Sequence, residues 1–148
     1  MLYNIITSDN FNISIHINII KYSSFIYNLI ENNTNKIIHL KHYSCSYIKL
    51  NKIFEFLNFH YFCQNKNDIQ SWNYNFFNNF NNSLLFELFN TANYLDIQLL
   101  LNYISLHFAN IINKSQTPLQ LTNYFNIKNN ITIQEQNELL NIYNISFL

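Results

Sequence analysis

Among the 148 residues there is no glycine. Glycine is the default occupant of left-handed backbone positions, so a turn that needs one must here use a residue that tolerates that conformation, asparagine above all. The absence also removes whole classes of chemistry, because neither a glycine-rich phosphate loop nor a nucleophile elbow can be written without it. The same bias runs through the rest of the composition: valine does not occur, all eight cationic side chains are lysines, and asparagine fills 30 positions. Such usage looks like translation from a very AT-rich genome. An asparagine-rich run would ordinarily signal low complexity, but here asparagine stands wherever a polar surface residue is allowed, and the hydrophobic positions carry the information.

A chain of this length without an internal repeat is most simply one domain, able to bury roughly two-thirds of its unfolded surface. Formal charge is zero, eight Lys against eight Asp+Glu. The lysines are scattered, so the phosphate-neutralising stripe of a nucleic-acid binder is missing. The opening "MLYNIITSDN" has no basic region, long apolar stretch or small-residue cleavage site, and does not read as a secretory signal. Two cysteines, Cys45 and Cys63, cannot make a disulfide framework, and a reducing compartment is the simpler reading.

An uncharged stretch runs from Ile97 to Asn113. At 17 residues it reaches only the bottom of the membrane-spanning range. It also includes Asn102, Ser105, His107 and Asn110, which argues against a span. Ile97, Leu100, Leu101, Ile104, Phe108, Ile111 and Ile112 instead recur at steps of one, three and four, one wide face of a soluble helix.

Upstream, "YNIITSD" and "FNISIHI" read as two strands joined by an Asp9-Asn10 hairpin turn with Asn in the left-handed role. The patterning predicts a helix from Ile20 to Ile30, a third strand at "KIIHL", and a helix from Ser44 to Phe62. The polar "CQNKNDIQS" reads as a loop or boundary. Beyond it the chain reads as wholly helical. Trp72, Phe76 and Phe80 fall at i, i+4, i+8, and Leu84, Leu85, Leu88, Phe89, Ala92 and Leu95 form an amphipathic stripe. Thr117-Pro118-Leu119-Gln120 and Thr132-Ile133-Gln134-Glu135 are capping boxes that predict short helices over Pro118 to Tyr124 and Ile133 to Tyr143. Helices so short must pack on something.

His39, His42 and Cys45, then His60 and Cys63, resemble metal-ligand spacing on paper. A helix over Ser44 to Phe62 puts Cys45 and Cys63 about 27 Å apart, far beyond one coordination shell. His60 and Cys63 lie one turn apart, but nothing marks an oxyanion hole or an orienting acid. Neither a metal nor a cofactor nor catalysis is expected.

The order of motifs in "LLFELFNTANYLDIQLLL" and "INKSQTPLQLTNYFNIKNNITIQEQ" closely resembles the S-phase kinase-associated protein family, the adaptor subunit of cullin-RING (SCF) ubiquitin ligases. "LFEL", "ANYLDI", a helix-opening "TP", "FNIKN", and "T" with "E" recur in order and spacing, and weaker likeness extends upstream through "TSD" with Phe11, "LIEN", and Trp72 with Phe76. The resemblance implies an α+β chain with a BTB/POZ fold, a small three-stranded sheet and clustered helices, extended by two C-terminal helices. It implies a BTB/POZ domain over 1–115 and a helical extension over 116–148 that completes an F-box-binding surface. The implied function is bridging a cullin N-terminal region to F-box proteins, the substrate receptors, without catalysis, in nucleus and cytoplasm. Carried over by motif, Asn93 and Tyr94 lie on the cullin side; on residue types alone, they read as a polar helix end with a half-buried tyrosine. The F-box candidates are Ile97, Leu101, Ile104, Phe108, Leu119, Leu121, Tyr124, Phe125, Ile127, Leu139, Leu140, Tyr143 and Ile145, about half of which would contact the partner while the rest serve the core. An apolar groove of this kind takes up a partner helix. Left uncovered, it predicts self-association of the isolated chain.

The chain departs from the family in three places. The acidic insert before the third strand is reduced to "ENNTN", the loop before Trp72 is short, and the final segment has two Glu, with Ile145 at the apparent Trp position. F-box binding is the function most exposed to the last change. Two alternatives share the fold: a non-ligase structural partner of F-box proteins, as in kinetochore assembly, and an elongin C-like adaptor, a family that stops before the "TP" and "FNIKN" helices. A Cys-His enzyme or zinc protein is the alternative from a different class.

Overall fold

The computed structural model describes residues 1–31, 35–115, 117–128, 132–135 and 137–138. Its sheet is built on the predicted hairpin. Strand β1 (Leu2–Ile6) runs antiparallel to β2 (Asn12–His16), from Leu2 opposite His16 to Ile6 opposite Asn12. Strand β3 (Ile37–His39) joins the other edge of β1 in parallel, giving the order β2-β1-β3. Alternation sorts the faces: Tyr3, Ile5, Ile15 and Ile38 are buried, whereas Leu2, His16, Ile37 and His39 are exposed.

The hairpin turn carries the asparagine expected to replace glycine. Asn10 has φ 63° and donates its N–H to the Thr7 carbonyl at 3.0 Å. Beside it the Thr7 hydroxyl donates to Asp9, whose carboxylate also accepts the Tyr47 backbone N–H at 2.9 Å. These bonds, the Thr7 hydroxyl first, hold the Asp9 carboxyl below the usual carboxylate range. Asp9 thereby caps helix α3 (Tyr47–Phe62), whose preceding Ser46 makes no side-chain cap bond.

The helix predicted from Ile20 to Ile30 is instead two, α1 (Ile17–Ile20) and α2 (Ser24–Glu31). The break falls at Ser23, whose hydroxyl accepts the Ile26 N–H at 3.1 Å and donates to the Leu95 carbonyl at 2.5 Å. A buried serine with a cap to make and a carbonyl to satisfy starts a new helix, although the apolar pattern runs through it. The expected loop at "CQNKNDIQS" is also mostly helix. After Cys63, only a short link precedes α4 (Lys66–Asn78), with Asn65 accepting the Asn67 N–H at 3.0 Å as cap and Asp68 in the first turn. In a chain that uses asparagine everywhere, a cap and a polar first turn look like a loop.

Helix α5 (Asn82–Tyr94) starts on Asn81, which accepts the Leu84 N–H at 2.8 Å, and α6 (Gln98–Lys114) follows after a tight turn. Leu50, Ile53, Phe54, Phe56 and Leu57 of α3 are all 2% exposed or less. Phe56 sits among the rings of His60, Trp72, Phe76, Phe77 and Tyr103 at centroid distances of 4.2 to 6.2 Å. The predicted Trp72, Phe76, Phe80 row forms: Trp72 stacks on Phe76 at 4.5 Å, and Phe80, past the end of α4, meets Phe76 edge-on at 4.9 Å. The architecture is α+β, a three-stranded sheet with clustered helices, in keeping with the BTB/POZ fold.

The chain divides into two compact units, residues 1–107 and 108–148, with the division inside α6. In the second unit α7 (Pro118–Phe125) begins as predicted, with the Thr117 hydroxyl accepting the Gln120 N–H at 3.3 Å. The second capping box also closes. Thr132 N–H and hydroxyl both donate to Glu135 at 2.8 Å, and Glu135 N–H returns a bond to Thr132 at 3.3 Å. Residues 133–135 are helical, and most of the helix predicted over Ile133 to Tyr143 lies outside the described residues.

Candidate docking surfaces

The "ANYLDI" segment is a helix ending built without glycine. The Ile97 N–H bonds the Ala92 carbonyl at 2.9 Å and the Asp96 N–H bonds Asn93 at 3.2 Å, the paired pattern of a Schellman motif. The left-handed position falls to Asp96, at φ 52°. Its carboxyl is held below the usual range, chiefly by the Gln98 amide and also by Ser24. Ala92 and Ile97, which close the motif from the apolar side, are fully buried. α7 ends the same way, with Asn126 at φ 52°, Asn126 N–H on Asn123 and Ile127 N–H on Thr122.

This ending leaves Asn93 exposed and Tyr94 half-buried at the surface of the first unit. Tyr94 packs against Phe25 of α2 and His42 of the segment before α3, and the His42 ring also meets Tyr43, which is 82% exposed. Sequence reasoning missed Phe25 and His42 as neighbours of Tyr94. No local pattern announces a contact between residues so far apart in the chain.

The F-box candidates separate by burial. Ile97 and Ile104 are both 0% exposed, so these two are core residues of the first unit rather than surface. Periodicity places a residue on the apolar side of a helix, but a helix that also closes a core spends part of that side inward. Leu101 is half-buried in the first unit. In the second unit Phe108 meets Phe125 edge-on at 5.7 Å, and Phe125 meets Tyr124 at 5.0 Å. Leu121, Tyr124 and Phe125 are half-buried, and burial pushes the Tyr124 phenol up. Leu119 and Ile127 stand 68% and 58% exposed. Leu139, Leu140, Tyr143 and Ile145 lie outside the described residues. The structure adds Leu106, 56% exposed on α6 and outside the predicted stripe.

The groups with chemistry are dispersed. Cys45 is buried, which pushes its thiol up, and Cys63 is half-buried at the end of α3. His60 is turned to Asn73, with Nε2 2.9 Å from the amide oxygen, and desolvation holds its imidazole below the usual histidine range. Among the described residues no group of three or more His, Cys, Asp or Glu could hold a metal ion, and no helix is long and apolar enough to cross a membrane.

No family model matches the chain. Over 72 residues, 49% of its length, the chain is 40% identical to a Skp1-related protein of Caenorhabditis elegans. Over a stretch of the same length it is 38% identical to SKP1-like protein 1A of Arabidopsis thaliana. The matched stretches cover 40% and 44% of those proteins, so the chain spans less than half the length of the curated relatives it matches. With the α+β architecture and the motif order about "ANYLDI", these matches make the chain similar to Skp1-like proteins over about half of its length.

Proposed function

We propose that the chain is an adaptor of an SCF-type ubiquitin ligase, joining a cullin to F-box substrate receptors and working in nucleus and cytoplasm. The kinship with Skp1-like proteins carries this reading. Two structural features support it. The glycine-free ending of α5 holds Asn93 and Tyr94 at the surface of the first unit, suited to the cullin. The second unit separately displays Leu119 and Ile127 beside the half-buried Leu121, Tyr124 and Phe125, suited to an apolar helix of an F-box. Binding then draws on apolar burial at about 25 cal/mol per Å2, less the cost of ordering the contacting side chains. No residue of the adaptor needs to perform chemistry. The formation of α7 favours the F-box class over an elongin C-like adaptor, whose family lacks that helix.

The test is co-expression with an F-box domain, followed by titration of the full chain and of a version truncated after Ser115, each also against a cullin N-terminal fragment. Binding of both partners by the full chain, with only F-box binding lost on truncation, is the expected result. Binding of an F-box without a cullin would move the chain to the structural, non-ligase role. Binding of neither would overturn the adaptor reading.

A further inference from the structure

The Tyr94 ring is held by a closed circuit of contacts that begins and ends on α5. Thr91, fully buried, donates its hydroxyl to the Ser44 carbonyl at 3.0 Å. The Ser44 N–H donates to His42 Nδ1 at 3.3 Å, and the Ser44 hydroxyl lies 2.6 Å from the same nitrogen. A backbone N–H can only donate, so Nδ1 accepts and the imidazole proton resides on Nε2. The His42 ring, fixed by Ser44, then lies flat on Tyr94, with centroids 4.1 Å apart and planes 12° from parallel. Thr91 and Tyr94 sit one turn apart on the same helix, so the segment before α3 is pinned at one point and presses its histidine onto the other. Phe25 adds a tilted contact to Tyr94 at 5.0 Å.

We propose that His42 is a positioning residue of the cullin-docking surface, setting the Tyr94 ring in its bound orientation before the partner arrives. This rests on the reading of Tyr94 as a cullin contact. The physical basis is preorganisation. An aromatic anchor that is free to change rotamer loses that freedom on binding, whereas one already stacked has little left to lose. His42 is half-buried, and the bonds that orient it run to Ser44, so its ring serves the surface residue above it rather than the core.

The experiment uses the full chain and a cullin N-terminal fragment, with F-box binding as the internal control. His42→Ala is expected to weaken cullin binding about three- to tenfold, and His42→Phe, which restores a ring but no hydrogen bond, to recover most of it. F-box binding stays unchanged in both. In the free chain, the Tyr94 ring-proton resonances move downfield in His42→Ala, as the shielding of a stacked ring is lost, and stay upfield in His42→Phe. Should His42→Ala not fold, His42→Gln keeps an acceptor for Ser44 without a ring and must weaken cullin binding likewise. Wild-type affinity in the ring-less variants, with Tyr94→Ala impaired, overturns the role of His42 while leaving the docking surface intact. Wild-type affinity in Tyr94→Ala removes Tyr94 from the cullin contact, and the role of His42 falls with it.

Discussion

Residues 1–107 and 108–148 are both rich in isoleucine, leucine and aromatic side chains, but they dispose of them differently. Among the described residues every buried one lies between Tyr3 and Ile104. The first unit encloses Phe54, Phe56, Leu57, Leu85 and Leu88 at 2% exposure or less, and it pairs the buried hydroxyls of Ser23 with Leu95 and of Thr91 with Ser44, while Asn73 Nδ2 is left without a hydrogen-bond partner. In the second unit the described apolar residues are half-buried or exposed, Leu119 and Ile127 most of all. The lesson is that hydrophobic periodicity marks a face and says nothing of what covers it. In the first unit the cover is the unit's own sheet and helices, and in the second the proposed cover is a partner.

This contrast predicts a graded set of effects. The largest belongs to Phe56→Ala, which empties the centre of the aromatic cluster between α3 and α4. It should cost about 3 to 5 kcal/mol in urea unfolding. A loss under about 1 kcal/mol would mean that the cluster collapses freely and is not a packed core.

Next comes Thr117→Ala, which removes the cap on α7. About 1 kcal/mol should be lost locally. Hydrogen exchange of amides 119–125 should accelerate, while the unfolding midpoint read from Trp72 fluorescence stays in place. A midpoint that moves with the cap would show that the two units unfold as one.

A smaller effect is set by pH. His60 carries a depressed value in the folded chain, mainly through desolvation, although its bond to Asn73 opposes the shift. Below about pH 6.5, the ordinary histidine value, the unfolded chain binds a proton that the folded chain still refuses. Stability from this group is therefore complete above that pH and is lost as pH falls through the folded value. Asp9, Asp96 and Glu135 are held below the usual carboxylate range, so their contribution is lost only in more acid solution. His60→Gln should flatten the urea midpoint between pH 7 and 5. An unchanged slope would assign the loss to other groups.

Smallest on stability is Leu119→Ala, at an exposed site, expected within about 0.5 kcal/mol of wild type. The same variant should lower F-box affinity by at least about 1 kcal/mol. A change in stability without one in affinity would reverse the roles assigned to the two units.

Much of this was legible in the residues. The β1-β2 hairpin followed from alternation and from Asp9-Asn10, and α7 followed from Thr117-Pro118, because turns and caps are local devices whose hydrogen bonds lie within a few residues. The helix break at Ser23 was not legible, since its reason is the Leu95 carbonyl, which only the fold brings near. Nor was the start of α4, where an asparagine cap is indistinguishable in this composition from an asparagine loop. Ile97 and Leu101 read alike in the sequence, yet one is sealed in the core and the other half-exposed, a difference set by which neighbours fill the space beside α6.

By itself the sequence determined the α+β class, the places where Asn10 takes a left-handed turn and Thr117 starts a helix, and the motif order that the chain shares with Skp1-like proteins. These are short-range or linear properties, and no folding is needed to read them. Only the tertiary structure decided that Ile97 and Ile104 belong to the core, that Asp9 caps α3, and that His42 rests on Tyr94. Those outcomes depend on contacts between segments distant in the chain, and burial and hydrogen bonding are settled only when such segments meet.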